Sequence, residues 1–353
     1  MRLSEAGHSA VANITRNTDV DALRDAVTGA EFVFHLAGVN RPKDATEFEQ
    51  GNIGFTKTIC SMLSAAGRHT PIAYASSTQA AVDNPYGRSK RAAERVIEEY
   101  GHATGAPTFV LRLANVFGKW SQPNYNSVVA TFCYNLTRGL PFTINDPKAA
   151  LRLVHVDDVV TGMVQLLDNG ASGITVVDVS PTYDTTVGEL ASILQGFATS
   201  RESLMMASVG SGLNRALYAT YLSYLNPPQF AYDLKRHVDS RGLFVEVLKT
   251  PDSGQFSYFT ADPGITRGEH YHHTKSEKFL VLKGKARFGF RHVVTNERYE
   301  LTVDGGAARV VETAPGWVHN ITNIGAEELV VMLWASEVFD PERPDTIASK
   351  VSP

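Results

Sequence analysis

The chain has 353 residues, of which 43% are hydrophobic and 20% are charged, and its formal net charge is -4. This composition is typical of a soluble globular protein, and the length is sufficient for two hydrophobic cores. The small negative charge gives no attraction to nucleic acid or to an anionic membrane, and no apolar run is long enough to cross a bilayer. We therefore expect neither a nucleic-acid partner nor a membrane partner.

The amino terminus and the cysteines bear on the cellular compartment. The first residues lack the apolar core of a signal peptide. Cys60 and Cys133 are the two cysteines, and both fall in predicted amphipathic helices. Such a pair argues against a disulfide scaffold and suits a reducing environment. We expect a cytoplasmic protein.

Residues 1–200 alternate short apolar runs with helical patterns. The apolar runs predict strands at Ala10–Thr15, Phe32–Ala37, Ile72–Ser77 and Thr108–Ala114. The clearest helical patterns cover residues 47–66, 86–100 and 127–138. Continuous apolar strands that alternate with helices predict an α/β domain with a Rossmann-like, doubly wound parallel sheet.

The pattern changes from Phe230 onward to short strands separated by turn signals, as at Lys283-Gly284. Short strands with frequent turns predict an all-β module. The segment 222–230 contains two consecutive prolines and is the predicted linker. The sequence therefore predicts two domains, residues 1–230 and residues 231–353.

A Tyr-x-x-x-Lys motif lies at the start of the predicted helix that follows the third strand. Asn84 and the proline after it fit the first turn of a helix, which places Tyr86 and Lys90 on one face. The ammonium group can lower the pKa of the phenol, and a strand-end hydroxyl, Ser77 or Thr78, can bind a carbonyl. Tyr86 could then donate a proton to that oxygen while hydride reaches the carbon. The alternative is a chance spacing with a structural role.

The surroundings of this motif carry a family resemblance. The matching segments, in chain order, are His35–Gly38, Asn52, Ser76–Ser77, Tyr86 with Lys90, Leu111–Gly118 and Arg152–Asp158. They resemble the extended short-chain dehydrogenase/reductase family, which acts on nucleotide sugars. The resemblance implies that Tyr86 is the proton donor, that Lys90 binds the nicotinamide ribose, and that Ser77 or Thr78 is the catalytic hydroxyl, with Ser77 as our candidate. The implied dinucleotide contacts are Leu36, Ala37, Gly38 and Asn52.

One feature departs from that family. Its members open with a strand and a Gly-x-x-Gly-x-x-Gly turn whose backbone amides hold the pyrophosphate, and this sequence has no such turn. We expect the first strand and the glycine-rich turn to be missing and dinucleotide binding to be weak. Arg16 stands near the position of the acidic residue that accepts from an adenosine ribose. A guanidinium there suits a 2′-phosphate and favours NADPH, and the alternative is an exposed loop arginine.

A histidine-rich stretch dominates the second predicted domain. His270 and His272 project to the same face of an extended chain, whereas His273 points away. Glu277 follows on the next strand, and His319 comes after a Pro-Gly turn. Two or three imidazoles with one carboxylate form a ligand set for a divalent metal, for which zinc is our first candidate. The alternative is a run of exposed histidines on an edge strand.

The same spacing resembles the two-part signature of the cupins. Asp239–Glu246 and Arg267-Gly268 add a resemblance to the nucleotide-sugar 3,5-epimerase branch, whose members abstract a proton next to a sugar ketone. In that branch the histidine that matches His270 is a general base and no metal is used. In a metal cupin it would be a ligand. Both roles stay open at this point.

Taken together, the two domains resemble a family of bifunctional capsular-polysaccharide enzymes, in which a reductase precedes a cupin β-barrel. The resemblance implies a UDP-linked 4-keto-6-deoxy amino sugar that is epimerised at C3 by the cupin and then reduced at C4 with NADPH. It also implies a homodimer and a role in capsule or O-antigen synthesis. Two other functions stay open: an epimerase whose reductase domain is only a scaffold, and a non-catalytic sugar-nucleotide-binding protein.

Overall fold

The computed structural model describes residues 2–44, 46–168 and 172–352. They form two compact units, Met1–Leu194 with Ala216–Tyr224, and Gln195–Arg215 with Leu225–Pro353. This division differs from the predicted boundary after residue 230, because part of the earlier chain joins the second unit. Lys249 N–H donates to the Leu204 carbonyl at 2.8 Å, and Met206 N–H donates to the Lys249 carbonyl at 2.8 Å.

The first unit is built on a four-stranded parallel sheet with the order β1-β2-β3-β6. Its strands are β1 (Val33–His35), β2 (Ile72–Ser77), β3 (Thr108–Leu113) and β6 (Ile174–Val177). A smaller sheet has the order β4-β5-β7, with β4 (Asn115–Phe117), β5 (Ala150–His155) and β7 (Thr182–Thr186).

Helices cover both faces of the parallel sheet. The helices are α1 (Arg2–Glu5), α2 (Val20–Gly29), α3 (Thr46–Phe48), a π-helix (Glu49–Gly54), α4 (Phe55–Ala66), α5 (Pro85–Thr104), α6 (Val128–Thr137), α7 (Val156–Gln165), α8 (Val187–Ser203) and α9 (Gly212–Leu222). Ile72 and Tyr74 pack in one hydrophobic cluster, whereas Ala73 between them packs in another. Because successive strand residues face opposite sides, both faces of the sheet are buried, and the predicted doubly wound sheet is confirmed.

The predicted strand Ala10–Thr15 is wrong. Residues 8–15 have no regular secondary structure, and all of them except Ile14 are exposed. An extended segment becomes a strand only when a neighbouring strand satisfies its backbone groups, and no strand among the described residues pairs with it. Within the described part of the chain, β1 therefore forms one edge of the sheet.

The described residues from 231 onward are all-β, as predicted, and form two antiparallel sheets. One has six strands in the order β15-β12-β17-β10-β9-β8, and the other has five in the order β14-β13-β16-β11-β18. The strands are β8 (Arg236–Asp239), β9 (Gly242–Thr250), β10 (Gly254–Ala261), β11 (Thr266–Tyr271), β12 (Glu277–Lys283), β13 (Lys285–His292), β14 (Arg298–Asp304), β15 (Val310–Thr313), β16 (Trp317–Asn323), β17 (Leu329–Ala335) and β18 (Ile347–Ala348). Both sheets supply a shared core that includes Phe279, Phe288, Ile321 and Val331.

No helix in the described part of the chain is both long enough and apolar enough to span a bilayer. A short 3₁₀ helix, Pro227–Phe230, lies in the predicted linker.

Candidate functional site

The end of β2 and the start of α5 bring the predicted reductase residues together. Asn84 caps α5 by accepting from Gly87 N–H at 2.7 Å, and Pro85 occupies the first turn, as predicted. Tyr86 and Lys90 therefore lie one turn apart on the face that meets β2. The Tyr86 phenol is hydrogen-bonded to the Ser77 side chain. Thr78 is exposed in the 3₁₀ turn after the strand.

The Lys90 ammonium group is almost fully buried, with 4% of the residue exposed. Its Nζ donates to the Ala75 carbonyl at 2.7 Å and lies 4.5 Å from the centre of the Tyr74 ring. Burial lowers the pKa of Lys90 to about 8, and the charge of Glu94 opposes this change. An ammonium has three N–H donors, so two remain for a ligand beside the strand end.

The expected lowering of the phenol pKa by the lysine is wrong. Burial raises the pKa of Tyr86, and the hydrogen bond with Ser77 opposes that rise only in part. The reason is geometric, because the Lys90 ammonium is turned toward the Ala75 carbonyl. The phenol is therefore fully protonated at neutral pH.

Asn52 and Gly38 define the neighbouring part of this site. Asn52 is buried in the π-helix and ties three segments together: it donates to Ser89 Oγ at 2.9 Å and exchanges two hydrogen bonds with the backbone of Val39, at 2.7 and 3.0 Å. A Cβ added at Gly38 would lie 3.1 Å from Asn52 Oδ1 and 3.4 Å from Lys90 Nζ. A side chain at position 38 would therefore require Asn52 or Lys90 to shift by a few tenths of an ångström.

The other predicted dinucleotide contacts lie on the surface of the first unit. Leu36, Ala37 and Gly38 follow the carboxyl end of β1 and are exposed, and Leu36 keeps 59% of its surface exposed although it is apolar. Arg16 is exposed in a turn. The parallel-sheet rule puts ligands at the carboxyl ends of strands, where β1 and β2 deliver these residues. Their cofactor roles stay predictions.

The predicted histidine centre lies in the core of the second unit. The ligand atoms of His270, His272, Glu277 and His319 all lie within 4.8 Å of one another. The last three are buried and His270 is half-buried, so the alternative of an exposed edge-strand run is wrong. His273 is exposed and turned away, as strand alternation predicts.

A β-bulge aims His270 at this centre. β11 and β16 pair with a register shift at Glu269, which has a positive φ of 59°, and His270 then stands directly opposite His319. Glu269 is held there because its carboxylate accepts from Asn320 Nδ2 at 2.8 Å and from Val351 N–H at 2.8 Å. The bulge re-aims the strand, as bulges commonly do near functional sites.

Asp345 fixes the turn that carries His272. Its carboxylate accepts from the backbone N–H groups of His273, Thr274 and Lys275 at 2.8 to 2.9 Å. Burial acts to raise the pKa of Asp345, but these hydrogen bonds outweigh it and hold the pKa well below its ordinary value. The Asp345 carbonyl also contacts Nδ1 of His272. A carbonyl can only accept, so Nδ1 carries the proton and the lone pair of Nε2 faces the centre.

The residues of this centre fit a divalent metal. Nε2 of His272 is buried and has no hydrogen-bond partner among the residues that the structure describes. It lies 3.3 Å from Oε2 of Glu277, so two acceptors face each other. Burial, followed by the charge of His319, lowers the pKa of His270 to about 4, which keeps it neutral. Burial acts to raise the pKa of Glu277, but the imidazoles of His272 and His319 outweigh it and hold the pKa below its ordinary value. Imidazoles around a carboxylate are a zinc-type donor set.

A cavity of about 180 Å³ opens beside the centre. His270, Glu277 and His319 line it, together with Arg241 and Arg267. Among the described residues, Nε and Nη2 of Arg267 are buried without a hydrogen-bond partner, and Nη2 lies 3.9 Å from Oδ1 of Asp239. The cavity is apolar on its aromatic walls, and at one side two guanidinium groups share the single carboxylate of Asp239, which leaves an excess of positive charge that suits an anionic sugar derivative.

Sequence reasoning missed four residues that support the two sites: Glu94, Arg112, Glu269 and Asp345. Each acts through hydrogen bonds to residues distant in sequence. A carboxylate at a buried helix position was the one signal available for Glu94, because buried acidic groups are rare without a partner.

Comparisons with known proteins agree with both halves of the chain. The NAD dependent epimerase/dehydratase family matches residues 2–179, and the polysaccharide biosynthesis C-terminal domain matches residues 237–347. A Pseudomonas aeruginosa protein named UDP-2-acetamido-2,6-beta-L-arabino-hexul-4-ose reductase is 53% identical over 349 residues, which cover 99% of this chain and 94% of the relative.

Solved structures give the same result over the whole chain. The capsular polysaccharide assembling protein CapF from Staphylococcus aureus has a TM-score of 0.88 and 39% identity, covering 99% of this chain and 96% of its own. A crystal structure of CapF with the inhibitor 3-isopropenyl-tropolone has a TM-score of 0.84 and 35% identity, with the same coverage. The chain belongs to the CapF-type capsular sugar enzymes.

Membership of the CapF-type family confirms the predicted resemblance and fold class. The epimerase/dehydratase match to residues 2–179 implies a nicotinamide cofactor for the first unit. In this CapF-type chain, the arrangement of Ser77, Tyr86 and Lys90 is the part of that unit suited to proton donation, and the histidine centre of the second unit is the part suited to a metal.

Proposed function

We propose that the chain performs two successive steps on a UDP-linked 4-keto-6-deoxy amino sugar, as a precursor of capsule or O-antigen. The second unit epimerises C3, and the first unit then reduces the C4 ketone with NADPH. The named reductase that is 53% identical along 99% of the chain supports this substrate class. The observation that carries the proposal is the position of Tyr86 on α5, one helical turn from the buried Lys90 and beside Ser77 at the end of β2.

In the reduction, the hydroxyls of Ser77 and Tyr86 bind the C4 carbonyl oxygen and Tyr86 protonates it. A proton donor must hold its proton before turnover, which the raised pKa of Tyr86 ensures. The two N–H donors left on Lys90 hold the hydroxyls of the nicotinamide ribose. When bound, the nicotinamide cofactor supplies the hydride that C4 receives.

The preference for NADPH rests on Arg16, which is exposed after the segment 8–15 and has no acidic neighbour in the turn Thr15-Arg16-Asn17. A guanidinium binds a 2′-phosphate through two parallel hydrogen bonds, and a carboxylate at this place would repel it. Arg16→Glu should lower kcat/KM for NADPH more than that for NADH. Equal losses with both cofactors would contradict the assignment.

In the epimerisation, the cavity beside the histidine centre binds the ketosugar. His270, His272, Glu277 and His319 would hold a divalent ion, with zinc as the first candidate. Such an ion would polarise the C4 carbonyl and so acidify the C3 proton. His270 is neutral and lines the cavity, so its lone pair can either hold the ion or take that proton. We assign it as a ligand, in which case water takes the C3 proton and water returns one to the opposite face. A His270→Gln chain that keeps wild-type zinc affinity while losing exchange would make His270 the base.

Measuring the two steps separately tests the proposal. Deuterium incorporation at C3 in D₂O reports epimerisation, and loss of NADPH absorbance reports reduction. We expect Tyr86→Phe to abolish reduction and keep exchange, and His319→Gln to abolish exchange. Loss of both reactions in each single variant would contradict the division of labour between the units.

The same two assays test a second candidate function, an epimerase whose first unit serves only as a scaffold. Exchange at C3 without any NADPH oxidation by the wild-type chain would support it, and binding of the UDP sugar with neither reaction would indicate a non-catalytic binding protein. We further propose a homodimer, which the molar mass in solution tests.

A further inference from the structure

Glu94 is a buried carboxylate on the helix that carries Tyr86 and Lys90, and the proposed reduction gives it no role. Only 2% of the residue is exposed. It lies one turn after Lys90 and two turns after Tyr86, so these three side chains share one face of α5. A carboxylate at such a depth is costly unless its oxygens are fully hydrogen-bonded.

Three consecutive residues at the end of β2 bind these three side chains in turn. The pairs, in order along the strand, are Ala75 with Lys90, Ser76 with Glu94 and Ser77 with Tyr86. The Lys90 ammonium donates to the backbone carbonyl at 2.7 Å. The Ser76 hydroxyl donates to the Glu94 carboxylate at 2.5 Å. Glu94 thus forms the middle one of three contacts between β2 and α5.

A second strand joins the same carboxylate. Arg112 on β3 is the register partner of Ser76 on β2. Its Nε donates to Oε1 of Glu94 at 3.0 Å, and its Nη2 donates to Oε2 at 2.7 Å. This two-pronged arrangement is the geometrically most specific pairing of a guanidinium with a carboxylate. Glu94 therefore fixes the helix against two neighbouring strands at one level of the sheet.

We propose that Glu94 is a positioning residue of the reductase site. It sets the distance between the strand that carries Ser77 and the helix that carries Tyr86 and Lys90, and it places a negative charge beside the ammonium. The inference rests on the reduction proposed above and extends it to a residue that touches neither substrate nor cofactor. Without the carboxylate, Ser76 and Arg112 lose their shared acceptor. Only the two outer contacts, at Ala75 and Ser77, then hold the end of the strand against the helix.

Several titratable groups surround Lys90. They are Glu94 and Tyr86 on α5, Tyr74 on β2, Arg112 on β3 and His35 on β1. His35 is neutral, because burial lowers its pKa to about 4 and the charge of Lys90 adds to that effect. Glu94 is the group whose charge raises the pKa of Lys90 against burial. Its removal should therefore move the deprotonation of Lys90 to lower pH.

The test compares Glu94→Gln with Glu99→Gln, a change at an exposed glutamate of the same helix. In the ligand-free chain, amide hydrogen exchange at residues 75–78 should rise by about tenfold in Glu94→Gln and stay unchanged in Glu99→Gln. With the UDP-linked 4-keto sugar and NADPH, kcat of Glu94→Gln should fall by about 10- to 100-fold with KM changed little. The basic limb of its kcat–pH profile should move to lower pH.

Ser76→Ala provides a second variant that keeps the ion pair of Glu94 with Arg112. It should raise exchange at the same residues and lower kcat by about 3- to 10-fold, in line with one lost hydrogen bond. If both variants match Glu99→Gln, the proposal is overturned. It is also overturned if exchange rises throughout the first unit while the pH profile stays in place, since that is general destabilisation. A different result separates the two proposals. If the variants show the localised exchange changes but the wild-type chain never oxidises NADPH, the proposed reduction is refuted and the positioning role of Glu94 is supported.

Discussion

Removing the Asp345 carboxylate should weaken the histidine centre, although no atom of this side chain belongs to it. The carboxylate accepts four hydrogen bonds at 2.8 to 2.9 Å from the turn after His272. The donors are the backbone N–H groups of His273, Thr274 and Lys275 and the hydroxyl of Thr274. In Asp345→Ala the turn loses this anchor, so the backbone carbonyl of residue 345 is held less firmly against Nδ1 of His272.

The size of the effect follows from the exposure of the turn. A hydrogen bond to a charged group is worth about 1.5–3 kcal/mol, but His273 and Thr274 are exposed, and water replaces the carboxylate at their N–H groups. We therefore expect the free energy of unfolding of the second unit to fall by about 2 kcal/mol, close to one bond rather than four. Zinc affinity should fall by about 10- to 100-fold, the usual cost of losing a group that orients a metal ligand.

Competition with a chromophoric chelator at pH 7 measures the zinc affinity, and thermal unfolding of the metal-free chain measures stability. Glu342→Ala, at an exposed position on the same segment, is the matched control and should leave both unchanged. Because the folded-state pKa of Asp345 is lowered from 3.8, its contribution is complete above about pH 4 and is lost as the pH falls through the folded value. Wild-type zinc affinity in Asp345→Ala would refute the reasoning.

Three further outcomes are expected. The rate of reduction should fall as the pH rises through about 8, because Lys90 then loses the charge that holds the ribose. The rate of C3 exchange should show no such fall. A reduction rate that does not change with pH in this range would remove Lys90 from this role. Stability of the first unit should fall as the pH drops from 6.5 toward 4, because the unfolded chain protonates His35 before the folded chain does. His35→Gln should flatten that limb in thermal unfolding, and an unchanged slope would contradict the assignment. Gly38→Val should abolish NADPH oxidation without unfolding the chain, because the valine side chain would contact Asn52 and Lys90. Oxidation at the wild-type rate would show that the site does not need the close approach of residue 38 to these two side chains.

The local parts of both sites could be predicted from the sequence because short-range rules determine them. A cap at Asn84 and helical spacing suffice to put Tyr86 and Lys90 on one face. Strand alternation similarly separates His272 from the exposed His273. In each case the residues that matter lie within two turns or one strand of each other.

The rest depends on contacts between distant segments, for which one sequence carries no signal. Asp345 reaches the turn at Lys275 from 70 residues away, and the positive φ of Glu269 falls at a non-glycine residue that no turn pattern marks. The direction of Lys90 is of the same kind, because a backbone carbonyl of β2 decides it. The apolar run Ala10–Thr15 has the composition of a strand, but strand formation needs a pairing partner in space.

The isotope pattern of the product tests the central claim most directly. The wild-type chain would be incubated in D₂O with NADPH and a UDP-linked 2-acetamido-4-keto-6-deoxy sugar, and the product examined by NMR. Solvent-derived deuterium at C3 together with protium from NADPH at C4 is the predicted result. A reduced product with protium at C3 would show that the second unit does not epimerise, and the absence of any reduced product would contradict the account as a whole.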